Sequence, residues 1–223
     1  VLNVSIIENA HLARAIPLIQ SVFDAGYSMG RLMALFPSNE HVGGTTIPDG
    51  MTGFGTVCSV TLNGVLLAHG IPTYSRFGGL LELQDRAPVR FVQIINDDAS
   101  TLDPLEVFIQ SGMTDYRGAA GSGTGRIGAS FRELPAESRD QVISLAHRLD
   151  QLGLGGFMTI GWPARPLLEI PVQQERIGAV VMGGLNPVGI LEECGITTRS
   201  HALAALVDFS TLFPYSELKT RLR

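Results

Sequence analysis

With 223 residues, 45% of them apolar and 17% charged, the chain carries enough apolar surface for a well-packed globular fold and is not a disordered segment. A formal net charge of −5, with acids spread along the sequence, argues against a nucleic-acid footprint within these residues. No apolar run reaches the roughly 18 residues of a membrane span, so no membrane partner is expected.

The opening VLNVSIIENA has neither a basic n-region nor a long apolar core, so no secretory leader is expected. NVSIIE reads as a strand, followed by a helix in NAHLARAIPLIQSVFDAG with Leu12, Ala15, Ile16, Ile19 and Phe23 at helical spacing, a kink expected at Pro17 and an end at Gly26. In residues 27–53, RLMALF reads as a strand within otherwise loop-like sequence. GTVCSVTL and VLLAHG flank Asn63-Gly64, the dipeptide favoured in a two-residue hairpin turn, which predicts a β-hairpin. GGLLEL and PVRFVQII are two further strands. TLDPLEVFIQSG predicts a short helix with Asp103 as N-cap and Pro104 in its first turn. GAAGSGTGRIG reads as a glycine-rich link into the strand IGASFREL. PAESRDQVISLAHRLDQLG is an amphipathic helix ended by Gly153, and GFMTI, LLEIP and GAVVM are strands. GGLNPVGILEECG predicts a helix capped by Asn186, and SHALAALVDF another helix.

Two stretches repeat one pattern. TLNGVLLAHGIPTYSRFGGLL and PLLEIPVQQERIGAVV each run through paired leucines, Ile-Pro, a polar break, Arg, an apolar residue and Gly. Arg76 and Arg176 lie 100 residues apart, and Pro88-Val89 and Pro187-Val188 lie 99 apart. This predicts an internal duplication of an α-β-β-β unit within a single domain. Its halves are residues 1–98, with an insertion at 27–53, and 126–213, joined by the glycine-rich linker 118–125. The expected fold is α/β or α+β, with mixed, mostly antiparallel sheets and helices packed on one face.

The candidate chemistry is sparse. Gly123, Gly125 and Gly128 spell GxGxxG but precede a strand, not a helix, so no dinucleotide site follows. The hairpin register sets Cys58 opposite His69, an arrangement suited to a thiolate nucleophile or redox sensor, although the same face carries Val60, Leu62, Val65 and Leu67. The other histidines (His11, His41, His147, His201) have no ligand spacing, so no metal is expected. Two widely separated cysteines, Cys58 and Cys194, fit a reducing, cytoplasmic setting. Of the 16 basic residues only Lys219 is lysine, so an anion site here must use Arg. Arg76, Arg176 and Arg132 are candidates, and the start of the GGLNP helix at Gly183, Gly184 and Asn186 offers backbone N–H groups to an anion.

Taken together, GTVCSVTLNG, GIPTYSRFGGLLE, PVRFVQII, TLDPLEVFI, GASFRELPA, VVMGGLNP and ALVDF resemble the regulatory domain of the archaeal nitrogen regulatory repressor NrpR family, from residue 1 to about 213. The resemblance implies a regulatory domain that is not an enzyme and uses no cofactor. It implies release of a repressor from its operator by 2-oxoglutarate, with DNA bound through an N-terminal winged-helix domain that this chain lacks. A homodimer is expected, since operators of such repressors are often palindromic. A diacid effector needs cationic or N–H clusters, which Arg76, Arg176, Arg132 and Gly183-Gly184 would supply in one cleft shared by the two halves, with Ser59 or Ser75 near the ketone and Cys58 alongside. The rival readings are a cysteine-dependent enzyme or redox sensor built on Cys58 and His69, and an interaction module with no ligand.

Overall fold

The computed structural model describes residues 1–96 and 103–222. The end of the first expected half (97–98) and the head of the TLDP helix (101–102) lie outside the described residues.

The architecture is mixed α/β, with two five-stranded antiparallel sheets. In chain order the elements are β1 (Leu2–Glu8), α1 (Leu12–Asp24), β2 (Leu32–Phe36), the short β3 (His41–Val42) and β4 (Thr45–Thr46), β5 (Met51–Val57) and α2 (Val60–Ala68). Then come β6 (Tyr74–Gln84), β7 (Ala87–Asn96), α3 (Pro104–Gln110), α4 (Tyr116–Ser122), β8 (Gly125–Pro135) and α5 (Arg139–Gln151). The chain ends with β9 (Phe157–Ile160), β10 (Arg176–Met182), α6 (Asn186–Glu193), β11 (Arg199–Ala205), β12 (Phe213–Pro214) and α7 (Leu218–Arg221). The first sheet has the order β11-β1-β5-β2-β12 and the second β7-β6-β8-β10-β9, while β3 and β4 pair with each other. The two segments with the repeated pattern thus flank the same strand: β6 pairs with one edge of β8 and β10 with the other. No helix among the described residues is long and apolar enough to cross a membrane.

Four predicted elements come out differently. The Asn63-Gly64 turn sits inside α2: after Val57 the chain leaves the sheet, and Leu62 and Leu66, spaced four apart, bury 98% or more of their surface against the core. Packing of that pair outweighs the roughly 1 kcal/mol helix penalty of Gly64. The two-residue hairpin turn lies instead at Asp85-Arg86, where both residues have positive φ (49° and 68°) between paired Gln84 and Ala87. SHALAALVDF is not a helix. Residues 199–205 form edge strand β11, held to β1 by ladder pairs such as Val4↔His201, by Ser5 Oγ to Ser200 Oγ at 2.7 Å, and by Leu203 N–H donating to Asn3 Oδ1. LLEIP turns back on itself through positive φ at Leu168 and Glu169, pairing Leu167 with Ile170. The glycine-rich stretch expected as a linker is helical over Tyr116–Ser122, and only its last residues lead into β8.

Elsewhere the local signals hold. Asp103 caps α3, accepting from the N–H groups of Leu105 and Glu106. Pro17 is accommodated inside α1, whose inner stripe is Ala15, Ile19, Val22 and Phe23. α3 lies across the second sheet over a row of glycines. A Cβ at Gly78 would come within 2.7 Å of Pro104, one at Gly128 within 2.8 Å of Leu105, and one at Gly183 would overlap Leu105. On the opposite face Phe77, Phe91 and Phe131 form a cluster with centroids 5.0–6.3 Å apart; such pairs contribute about 0.5–1.5 kcal/mol each beyond burial.

Candidate functional site

Alternation along β8 puts Ser130 and Arg132 on the face that α3 covers and Phe131 and Glu133 on the other. Arg132 and Glu133 are both buried, at 2% and 1% exposure. The two sides have separate polar groups.

On the α3 side, register pairs Arg132 directly with Ser75 of β6. The Arg132 guanidinium donates to Ser59 Oγ (2.9 Å), to the Ser59 carbonyl (3.3 Å) and to Ser130 Oγ (3.4 Å). Ser59 is the N-cap residue of α2. From the next turn of that helix Asn63 Nδ2 donates to Ser75 Oγ at 3.4 Å. Asn63 Oδ1 and Thr73 Oγ1 are buried side-chain atoms with no hydrogen-bond partner among the described residues; such orphaned groups cost about 1–3 kcal/mol each unless something binds them. Cys58 adjoins this cluster and feels both Arg132 and Asp103. Its thiol is pushed up chiefly by burial and further by the Asp103 charge, against smaller lowering effects from the Val60 N–H and the Arg132 charge. Burial likewise raises the Asp103 carboxyl, against its two N-cap hydrogen bonds.

Four of the predicted site residues (Ser59, Ser75, Arg132 and Cys58) therefore meet at the start of α2. Asn63 and Ser130 join them. The sequence reading missed these two because it placed Asn63 in a hairpin turn and because an isolated Ser carries no spacing signal.

The other predicted residues lie elsewhere. Arg76 is the extra residue of a bulge in β6, between Ser75 and Phe77. Its guanidinium pairs with Glu133 Oε1 at 2.9 Å, donates to the Pro171 carbonyl at 2.6 Å and stands 5.6 Å from the Phe131 ring centre. All of that is on the face opposite Arg132. Arg176 opens β10 and lines an open groove of about 700 Å³ with Glu137, Gln173, Gln174 and Glu175, where two carboxylates oppose an anion. The single arginine-lined cleft is thus not assembled: the sheet separates Arg132 from the two repeat arginines.

The GGLNP helix start is closed rather than open. Leu185 takes the cap position, and Asn186, completely buried, is the first helical residue. Asn186 Nδ2 donates to the carbonyls of Tyr27 (2.9 Å) and Gly128 (2.8 Å), while Asn186 Oδ1 accepts from Tyr116 Oη (2.8 Å). Gly183 N–H donates to the Gly128 carbonyl. A Cβ on Gly184 would stand 2.6 Å from the Val57 carbonyl and 2.5 Å from Asn3 Nδ2. These residues join the sheets, and no space for an anion is left between them.

The Cys58–His69 pair is not assembled either. α2 separates the two residues by its length of about 13 Å, and His69 Nδ1 lies 2.8 Å from the Val65 carbonyl. Among the described residues no group of three or more His, Cys, Asp or Glu is placed to hold a metal.

The family model for NrpR regulatory domains NRD1 and 2 matches residues 1–214. The chain belongs to the NrpR regulatory-domain family. It is 30% identical over 212 residues to the global nitrogen regulator NrpRI of Methanosarcina mazei, covering 95% of this chain and 65% of that protein. It is 32% identical over 190 residues to the global nitrogen regulator NrpR of Methanococcus maripaludis, covering 85% of this chain and 33% of the relative. The chain thus spans about two-thirds of one curated relative and a third of another. A crystal structure of a nitrogen repressor-like protein from Methanococcus jannaschii superposes with a TM-score of 0.79 at 28% identity, covering 96% of this chain and 87% of that one. The mixed α/β architecture of the chain agrees with that neighbour.

Proposed function

We propose that this chain is the effector-sensing portion of a transcriptional repressor of nitrogen-related genes, and that its effector is a small dicarboxylate, 2-oxoglutarate. The carrying observation is the family match over residues 1–214, made chemical by the buried Arg132 cluster. In this reading DNA is bound by a separate winged-helix domain, and the regulatory unit is a homodimer in the cytoplasm.

The Arg132 fork suits one carboxylate, because guanidinium N–H groups match carboxylate oxygens in pairs. Ser59 lies at the start of α2, where the helix dipole adds roughly half a positive charge. The Ser75 hydroxyl and the Asn63 amide N–H groups are donors of the kind a ketone or second carboxylate oxygen accepts from. With Arg76 and Arg176 beyond the sheet, recognition rests on one arginine and neutral donors rather than a clamp of several cations. The buried Cys58 thiol, with its raised pKa, fits a packing role and not a nucleophile.

Thermal unfolding with and without 2-oxoglutarate tests the reading. At 100 times its dissociation constant a ligand adds about 2.7 kcal/mol, so a clear rise in Tm is expected, and pyruvate, with a single carboxylate, should give less. No shift at any 2-oxoglutarate concentration would leave an interaction module that takes no such ligand.

A further inference from the structure

Away from the Arg132 cluster, the ends of α1 and α5 meet beside β9 and Tyr215 and border a cavity of about 330 Å³. That volume lies at the lower end of the range for small-molecule sites. Asp24, the last residue of α1, lines it together with Asp150 from the last turn of α5 and Arg31 from the approach to β2.

These three charges border one hollow without meeting. Asp24 Oδ1 accepts from Tyr215 Oη at 2.7 Å, and Arg31 Nη2 donates to the backbone carbonyl of Asp150 at 2.9 Å. Neither carboxylate, nor the Arg31 guanidinium, takes part in an ion pair among the described residues. The Tyr215 hydroxyl feels both signs: its hydrogen bond to Asp24 raises its pKa, followed by burial and the Asp24 charge, while the Arg31 charge lowers it. Asp24, Arg31 and Tyr215 therefore converge on the same wall.

The backbone adds to the negative side. α1 and α5 are each 13 residues long and both end at the cavity. A helix C-terminus carries about half a negative charge. The remaining lining is bare backbone and apolar surface. A Cβ on Gly156 would overlap the Met29 sulfur, and one on Gly155 would come within 2.8 Å of Asp150 Oδ1. Phe23 stacks on Tyr215 with ring centroids 4.6 Å apart, and Phe157 and the buried Met182 complete the apolar part.

We infer that this cavity binds a free α-amino acid with an apolar side chain. Charge selects the class. At neutral pH such a molecule carries one carboxylate and one ammonium. The guanidinium N–H groups of Arg31 not committed to the Asp150 carbonyl suit the carboxylate. The ammonium, with three N–H donors and no acceptor, goes to Asp24, Asp150 and the two helix ends. Its side chain lies against Phe157 and Met182. A plain amine would leave Arg31 without a partner. A plain acid or a dicarboxylate would face two carboxylates and two negative helix ends. None of the lining residues belongs to the Arg132 cluster, so this inference stands apart from the effector reading above.

Calorimetric titration of the purified chain with L-leucine, 4-methylpentanoate and 3-methylbutylamine tests it. The three probes share one side chain; the second lacks the ammonium and the third the carboxylate. L-Leucine is expected to bind at one site per chain, and each analogue at least about tenfold more weakly, because each loses a charge-assisted contact. Arg31→Gln should weaken L-leucine by about tenfold or more. That variant also loses a bond to the end of α5, so Asp24→Asn, which keeps an acceptor for Tyr215, repeats the test without touching that bond and should weaken L-leucine likewise. The Tm of each variant confirms that it is folded. No binding of L-leucine, L-methionine or L-phenylalanine at millimolar concentration would overturn the inference. So would equal affinity for L-leucine and 3-methylbutylamine, or L-leucine affinity unchanged in both variants.

Discussion

Asn186→Ala should be among the most damaging single changes in this chain, and its cost can be worked from the hydrogen bonds it breaks. The side chain has no solvent exposure and makes three bonds of 2.8–2.9 Å, to Tyr27, Gly128 and Tyr116. Each buried bond contributes about 1 kcal/mol net, and each partner left without a replacement costs a further part of its desolvation penalty, so the total is about 3–5 kcal/mol. Whole domains have about 5–15 kcal/mol of stability. In urea, with a slope near 2 kcal/mol per molar, the midpoint should fall by about 2 M without a change in slope. Asn186→Asp is a sharper probe because it conserves volume. At neutral pH it sets an ionised oxygen against two carbonyls and should be worse than Ala, and it should recover partly in acid as that oxygen protonates and donates again. If Asn186→Ala unfolds within about 0.5 kcal/mol of wild type, the side chain does not join α6 to the rest of the molecule, and the reasoning about a closed, structural GGLNP segment is wrong.

Further outcomes follow from the same geometry. Arg76→Ala leaves the nearly buried Glu133 carboxylate without its ion-pair partner and should cost about 3 kcal/mol in chemical denaturation, while 2-oxoglutarate affinity measured on the folded fraction stays close to wild type. Asp103→Asn keeps a good N-cap and removes a carboxylate whose pKa burial holds above its ordinary value of 3.8. The raised folded-state pKa means that ionised Asp103 destabilises the fold at neutral pH and that this loss disappears as pH falls through the raised value toward 3.8. The variant should therefore equal or exceed wild type in Tm at pH 7, and wild type should gain on it in acid. With a thiol reagent at mildly alkaline pH, the folded chain should release one fast equivalent from the partly exposed Cys194 and almost none from the buried Cys58; two fast equivalents would revive a reactive Cys58.

Much of the strand and helix order was legible because its signals are local. β1, α1, β2, β6, β7, β8, α5, β9 and β10 announce themselves through periodicity, and α3 through Asp103-Pro104. The failures share one cause, which is that contacts distant in sequence decided the outcome. Asn63-Gly64 is a good turn, yet Leu62 and Leu66 bury better as a helix. The alanine-rich 199–205 stretch has helix-forming residues, yet β1 offers it an open edge some 195 residues away. The site was half legible. Arg132, Ser59, Ser75 and Cys58 could be named from motifs, but a sequence does not reveal which face of a sheet an arginine takes. A one-residue bulge at Arg76 turns it toward Glu133, and nothing in YSRFGG announces that bulge. Asn63 Oδ1 and Thr73 Oγ1 become visible only in the fold, as buried atoms with no hydrogen-bond partner among the described residues.

The most direct test of the account is calorimetric titration of 2-oxoglutarate into wild type and into Arg132→Lys, which keeps a cation of similar reach and removes the planar fork. Wild type should bind with one site per chain, and the variant, confirmed as folded by its Tm, should bind at least about tenfold more weakly. Equal affinity in the two proteins, or no binding heat from wild type, would contradict the assignment of the Arg132 cluster as the place where this domain receives its effector.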